Sequence, residues 1–147
     1  MNQPIYNLRP ATEADNDFLY HLHISTIREA VEATWGWDEA FQADHFRRKW
    51  NPAKYQIIML HQTQVGVLVL EEQVEAIFLG LIEISLAYQG QGLGSQVIQD
   101  VCALAQEKSL PLELHVLKTN PRAKSLYERL GFKVIEEREE RYVMKWT

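Results

Sequence analysis

The order of hydrophobic periods along the chain predicts an α/β fold, a mixed sheet with helices packed against it. Three observations carry that expectation. A short strand candidate and two helical stripes open the chain, three strand-like runs follow, and a helix–strand–helix–strand–strand series closes it. A loop with glycine at alternate positions, Gly90, Gly92 and Gly94, joins a strand apolar on both faces to a helix. No internal repeat, low-complexity tract or Pro/Gly/Ser-rich linker interrupts the 147 residues, so one domain over residues 1–147 is expected.

Residues 5–9 form a strand candidate that Pro10 ends. Thr12 stands three before Asp15, a relative of the capping box, and a long helix should follow with Phe18, Leu19, Leu22, Ile27, Ala30 and Val31 in its stripe. It breaks near Trp35-Gly36-Trp37. A second helix over about residues 38–50 carries Phe41, His45, Phe46 and Trp50 at helical spacing and stops at Pro52. From Tyr55 the period shortens, and residues 56–60, 65–70 and 74–86 read as strands. His61-Gln62-Thr63-Gln64 is a turn of hairpin length between the first two. Residues 77–86 are apolar on both faces, as a central strand should be, and Gly80 predicts a bulge or a close backbone approach. A helix over about residues 92–108 then buries Leu93, Val97, Val101, Leu104 and Ala105, and residues 112–117 form a strand. The next helix starts at Asn120, a good N-cap, with Pro121 in the first helical position. Ala123, Leu126, Tyr127 and Leu130 line one of its faces and Gly131 caps it. Residues 132–137 and 141–146 finish the chain as strands.

Composition narrows the function. The apolar fraction of 46% and charged fraction of 24% are those of a globular protein. The longest apolar stretch, residues 76–82, is far short of a bilayer span, so no membrane role is expected. The first ten residues lack a basic segment followed by an apolar run, which predicts no secretory signal. The single cysteine, Cys102, forms no internal disulfide and suits a reducing, cytoplasmic setting. With 15 basic and 20 acidic residues the net charge is −5, which disfavours nucleic acid as a partner. Arg47-Arg48-Lys49 reads as the cationic end of a helix.

The glycine loop runs Ser85-Leu86-Ala87-Tyr88-Gln89-Gly90-Gln91-Gly92-Leu93-Gly94-Ser95. Glycine permits positive φ and lets an anion approach the backbone, and the helix start beyond it offers unpaired N–H groups. The place therefore suits phosphate. A nucleotide P-loop requires a lysine after the last glycine, and none lies between Lys54 and Lys108. A dinucleotide fold wants Gly-x-Gly-x-x-Gly after the first strand, whereas these glycines are spaced two and two after several elements. Coenzyme A is the remaining candidate.

The run Gln89-x-x-Gly92-x-Gly94 resembles the acetyl-CoA signature of the GNAT superfamily of N-acetyltransferases. About thirty residues on, the segment from Asn120 through Pro121, Tyr127 and Gly131 to Phe132 looks like that superfamily's second signature. Order, distance and the element series match across nearly the whole chain. One departure is Leu86, where many members have proline. The resemblance implies a mostly antiparallel central sheet with helices on both faces and strands splayed at the CoA site. It implies acetyl-CoA as co-substrate, no metal, and transfer by direct attack of an amine.

Residue by residue, the resemblance would have Ile84 N–H polarise the thioester carbonyl with Ile82 beside it. Gln89, Gly90, Gln91, Gly92, Leu93, Gly94 and Ser95 would hold the pyrophosphate, and Asn120 and Ala123 would meet the CoA arm. Tyr127 matches the tyrosine that faces the sulfur and would act as general acid. A phenol of pKa ~10 can protonate a thiolate of pKa ~8.5 while staying neutral itself. The same residue also belongs to the apolar stripe, where its hydroxyl would merely be satisfied. Glu83 interrupts an otherwise apolar strand, and a buried lone carboxylate is costly unless it is paired or wet. It is either the base for the attacking amine or a carboxylate turned to solvent or an ion pair.

Trp35, Trp37 and Glu32 would suit a cationic or aromatic acceptor in a pocket between the first two helices, or the tryptophans simply pack. His21 and His23, two apart, do not share a helix face. With no HExxH or CxxC, no metal site is expected. Cys102 reads as a small core residue. The acceptor expected is a small-molecule amine; a protein or peptide α-amine, or a non-catalytic CoA-binding sensor domain, are the other readings. A homodimer is carried as an expectation, with the strand ending at Trp146-Thr147 as the element two subunits could exchange.

Overall fold

The computed structural model describes residues 5–147. Residues 1–4, on which part of the expectation of no leader rests, lie outside the described residues. The chain opens with strand β1 (Asn7–Pro10), a 3-10 turn, and helix α1 (Asn16–Trp35). Helix α2 (Glu39–Lys49) and three strands follow: β2 (Gln56–Leu60), β3 (Thr63–Glu72) and β4 (Ile77–Ile84). Helix α3 (Leu93–Glu107), β5 (Leu112–Leu117), α4 (Pro121–Arg129), β6 (Lys133–Glu137) and β7 (Arg141–Trp146) complete it.

The seven strands form one sheet in the order β1-β2-β3-β4-β5-β7-β6. Every neighbouring pair is antiparallel except β4 with β5, which run parallel. That mixed sheet, with α1 on one face and α3 and α4 on the other, is the expected α/β architecture. Two cores result. Leu93, Val97, Ile98, Val101 and Ala105 of α3 close over Leu68, Leu79, Leu112, Leu114 and Met144 on one face. On the other, Leu19 and Leu22 of α1 pack on Ile57, Met59 and Val67, with Leu81 at the margin. Adjacent residues of β2, Ile57 and Ile58, divide between the two cores, which is why both are fully buried.

Local chemistry sets the ends. The Asp15 carboxylate accepts the Thr12 N–H at 2.8 Å and both arms of Arg9 at 2.9 and 2.8 Å. Gln64 of β3 donates to it as well, so the start of α1 is tied to two strands. Gly36, at φ 83°, ends α1 with its N–H on Glu32 carbonyl oxygen, and the Asp38 side chain caps α2 by accepting from Phe41 N–H. Asn120 caps α4 by accepting from Ala123 N–H at 3.2 Å.

Strand limits differ from the sequence pattern in four places, the smallest being β6, which starts at Lys133 rather than residue 132. β1 begins at Asn7 rather than residue 5 and includes Pro10, which an edge strand tolerates. β3 reaches Glu72, because hairpin pairing with β4 carries its polar end along, and the turn before it tightens to His61-Gln62. β4 is shorter than residues 74–86. Val74 is 95% exposed in the turn closed by Gln73 N–H on Ala76, and Leu86 opens a 3-10 turn after Ser85. The predicted irregularity at Gly80 is present: Val69 pairs with Leu81 and Leu70 with Leu79, leaving Gly80 as the extra residue of a bulge.

Candidate active site

Pairing between β4 and β5 runs from Ile77↔Leu112 to Leu79↔Leu114 and stops. Both strands continue, β4 to Ile84 and β5 to Leu117, each still held by its outer neighbour. A slot therefore opens through the sheet. Ser85 N–H donates to Val65 on the β3 side at 2.8 Å. Strand residues alternate the direction of their peptide groups, so Ile84 turns its N–H and C=O toward the slot. The Gln89 side chain confirms the direction by donating to Ile84 carbonyl oxygen at 2.8 Å.

The glycine loop lies just beyond. Gly90 and Gly92 take φ of 76° and 84°, a region that L side chains rarely adopt. Gly92 is the N-cap of α3, and the first intrahelical bond is Gln96 N–H to Gly92 carbonyl oxygen. The N–H groups of Leu93, Gly94 and Ser95 precede it and point out of the helix start, where the dipole is positive. A Cβ at Gly90 or Gly92 would touch nothing within 4 Å, so these glycines are required by backbone conformation and not by packing. Gln91 steadies the loop through Ala87 carbonyl oxygen at 3.2 Å.

Tyr127 stands on the α3 and α4 face, half-buried against that core with its ring 5.7 Å from Phe132. Burial pushes its phenol up to about 12, so the hydroxyl stays protonated at neutral pH. Ala123 packs on the same core. Cys102 is buried there too, its thiol pushed up to about 11 by desolvation, as a core residue's should be.

Glu83 faces the other way. Its side chain is 4% exposed, and His23 Nδ1 on α1 lies 2.8 Å from its Oε2. Of the two non-catalytic alternatives the sequence left open, the solvent-facing one is excluded. Oε1 is buried with no hydrogen-bond partner among the described residues. Tyr55 packs against the same α1-side core, and burial and then the Glu83 charge raise its hydroxyl above its ordinary value. The bulge explains the orientation. Ile77 and Leu79 point to the α3 core, and after Gly80 it is Ile82 and Ile84 that do so, leaving Leu81 and Glu83 to the α1 side.

A cleft of about 780 Å³ between α1 and α2 is lined by His23, Ile27, Val31, Trp35, Trp37 and Phe41, among others. Both tryptophans are therefore brought to it, but each has a ring face against an arginine. Arg28 stands 4.9 Å from the Trp37 ring and Arg141 6.0 Å from that of Trp35. Glu32 is not among the lining residues; its carboxylate is exposed and lies 3.9 Å from Arg28. His23 is the functional candidate that sequence reasoning missed. Its only signal was position, one turn from Ile27 on a stripe that reaches the cleft, and no local spacing links it to Glu83 sixty residues away. Among the described residues no group of three or more His, Cys, Asp or Glu is placed to hold a metal, and no helix is long and apolar enough to cross a membrane.

Comparison with known proteins places this geometry. The model of the acetyltransferase (GNAT) family matches residues 17–132. No curated protein sequence matches the chain. Among solved structures, the PaiA N-acetyltransferase of Thermoplasma acidophilum in complex with coenzyme A aligns over 97% of this chain and 99% of its own, with TM-score 0.75 and 17% identity. An acetyltransferase of Thermus thermophilus covers 95% of both chains with TM-score 0.71 and 23% identity. The ribosomal-protein-S18-alanine N-acetyltransferase of Escherichia coli covers 97% of this chain and 93% of its own, with TM-score 0.66 and 18% identity.

Proposed function

The chain belongs to the GNAT family of acetyltransferases and uses acetyl-CoA as its acetyl donor, and on that premise we propose that its acceptor is the primary amine of a small molecule, acetylated by direct attack in the cytoplasm. The observation that carries the reading is the slot opened where β4 and β5 part, at the mouth of the glycine loop.

The residues present fit the donor. In this reading the N–H groups from Gln89 to Ser95 hold the pyrophosphate, since the helix start supplies both donors and positive potential. Backbone along Ile82 and Ile84 supports the pantetheine arm, and Asn120 and Ala123 flank it. Acetyl-CoA supplies an acyl group activated by a good leaving thiolate. Ile84 N–H, aimed into the slot, stabilises negative charge developing on the carbonyl oxygen, a service usually worth ~3 kcal/mol. Tyr127 donates its proton to the departing sulfur. Glu83 is the buried carboxylate toward which the amine's proton is drawn.

The cleft beside Trp35 and Trp37 supports a small acceptor, since its volume suits a metabolite-sized ligand and its lining is mainly apolar and aromatic. With the arginines already on their rings, the tryptophans favour apolar contact with the acceptor body over cation recognition. Glu32 would act at most at the rim. A single domain spanning residues 1–147 suffices for this chemistry, and a homodimer would use the β6–β7 end of the sheet. The test is calorimetric titration with acetyl-CoA, followed by thiol release across a panel of small amines and peptides with free α-amines. Binding with release driven by small amines supports the reading. Release driven by peptides alone makes the acceptor a protein, and binding without release makes the chain a sensor.

A further inference from the structure

The wall between the slot and the cleft contains one acid and one base in contact. Glu83 is nearly sealed, whereas the His23 side chain is 25% exposed and lines the cleft. Of the two, only the imidazole lines the cleft. An ionised carboxylate accepts hydrogen bonds and cannot donate, so in the neutral ring Nδ1 carries the hydrogen of the 2.8 Å contact and Nε2 is left with its lone pair. The ring also lies against Phe46, whose centroid is 6.0 Å away, and its backbone belongs to the interior of helix α1.

We propose that His23 is the catalytic residue that takes the amine's proton at Nε2, with Glu83 behind it as the carboxylate that sets the ring's tautomer and answers its positive charge. This rests on the acetyltransfer reading above. The C–N bond forms at the carbonyl carbon and the C–S bond breaks with its electron pair going to sulfur. The surplus proton on nitrogen passes to Nε2, and sulfur takes one from Tyr127, which solvent restores as Nε2 gives up its own. The unpartnered Oε1 of Glu83 bears on the energetics. A buried carboxylate with one oxygen unpaired is under-compensated in the resting protein, and the imidazolium compensates it only as the reaction proceeds.

His23→Asn is the discriminating variant, because the Asn amide still donates to Glu83 while Nε2 is gone. The expected result is a loss of ~10²–10³-fold in kcat, acetyl-CoA affinity within about twofold of wild type by calorimetry, and amide product partly restored by added imidazole. Wild-type kcat in His23→Asn overturns the proposal and returns the base to Glu83. A loss that imidazole does not restore, with Glu83→Gln losing at least as much, also overturns it. Nitrogen-15 NMR of the full chain reads the tautomer without any acceptor: a bare Nε2 at neutral pH is expected, and a hydrogen on Nε2 of the neutral ring refutes it. Failure of the underlying reading looks different. There the wild type itself releases no thiol with any amine, whatever the variants do.

Discussion

Tyr127 shows how one side chain serves packing and chemistry together. Its apolar neighbours and its place on the stripe of α4 were legible from spacing, and both hold in the structure. Burial raises its phenol to about 12, so the proton is retained at neutral pH and is surrendered only to a basic partner brought close. Tyr127→Phe is expected to lower kcat by ~10²-fold while leaving acetyl-CoA affinity within about twofold, as stopped-flow thiol release and calorimetry would show. Equal rates would remove the hydroxyl from the mechanism. Glu83 was conspicuous as an acid in an apolar run, but its partner was not. His23 looked ordinary because helix spacing compares residues on one element, whereas this contact joins a helix to a strand beneath it, sixty residues away.

The glycines divide by the kind of constraint they answer. Gly92 has space but needs φ of 84°, so Gly92→Val should strain the loop by ~1–2 kcal/mol and weaken acetyl-CoA binding about tenfold. Unchanged affinity would place the pyrophosphate elsewhere. Gly66 has ordinary φ but no space: an added Cβ would sit 2.5 Å from the Glu83 carbonyl oxygen and 3.0 Å from Ile84 Cδ1. Gly66→Ala should cost ~1–3 kcal/mol in urea denaturation and displace the strand that carries the site. Only the first constraint was legible, because a glycine-rich loop announces itself and a tight inter-strand contact does not. The elements themselves were found in order. Their ends moved where pairing outran pattern, as when β3 carried Thr63 and Glu72 into the ladder beyond residues 65–70.

For the molecule as a whole, the start of α1 is held by a charge cluster that sets part of its acid sensitivity. Arg9 holds the buried Asp15 carboxyl down at about 2, against its own desolvation, with help from Thr12. A carboxyl lowered in the folded state stabilises above its unfolded value near 4, and that contribution disappears as pH falls through about 2. Allowing for the partly exposed Arg9, Asp15→Asn should lower stability by ~1–2 kcal/mol at pH 7. The difference from wild type should vanish in strong acid, measured as the urea midpoint against pH. The layered architecture, two cores on one sheet, was readable from residues 77–86 being apolar on both faces. The division of chemistry between faces was not, since Gly80 signals a bulge or a close approach alike, and only its lack of a partner on β3 decides which.

That division hangs on one inserted residue. Because sides alternate along a strand, β4 behaves like text read in a frame, and Gly80 is the single-letter insertion that sets the frame for everything after it. Were the bulge ironed out with Gly80 kept and paired like its neighbours, the two faces would exchange passengers: Glu83 would turn into the apolar layer under α3, and Ile84 would turn toward His23. Point substitutions here adjust the site by degrees, whereas a frame change moves its acid to the wrong side of the sheet at one stroke. Lineages keeping this activity should therefore keep the bulge and its extra residue together or lose both together.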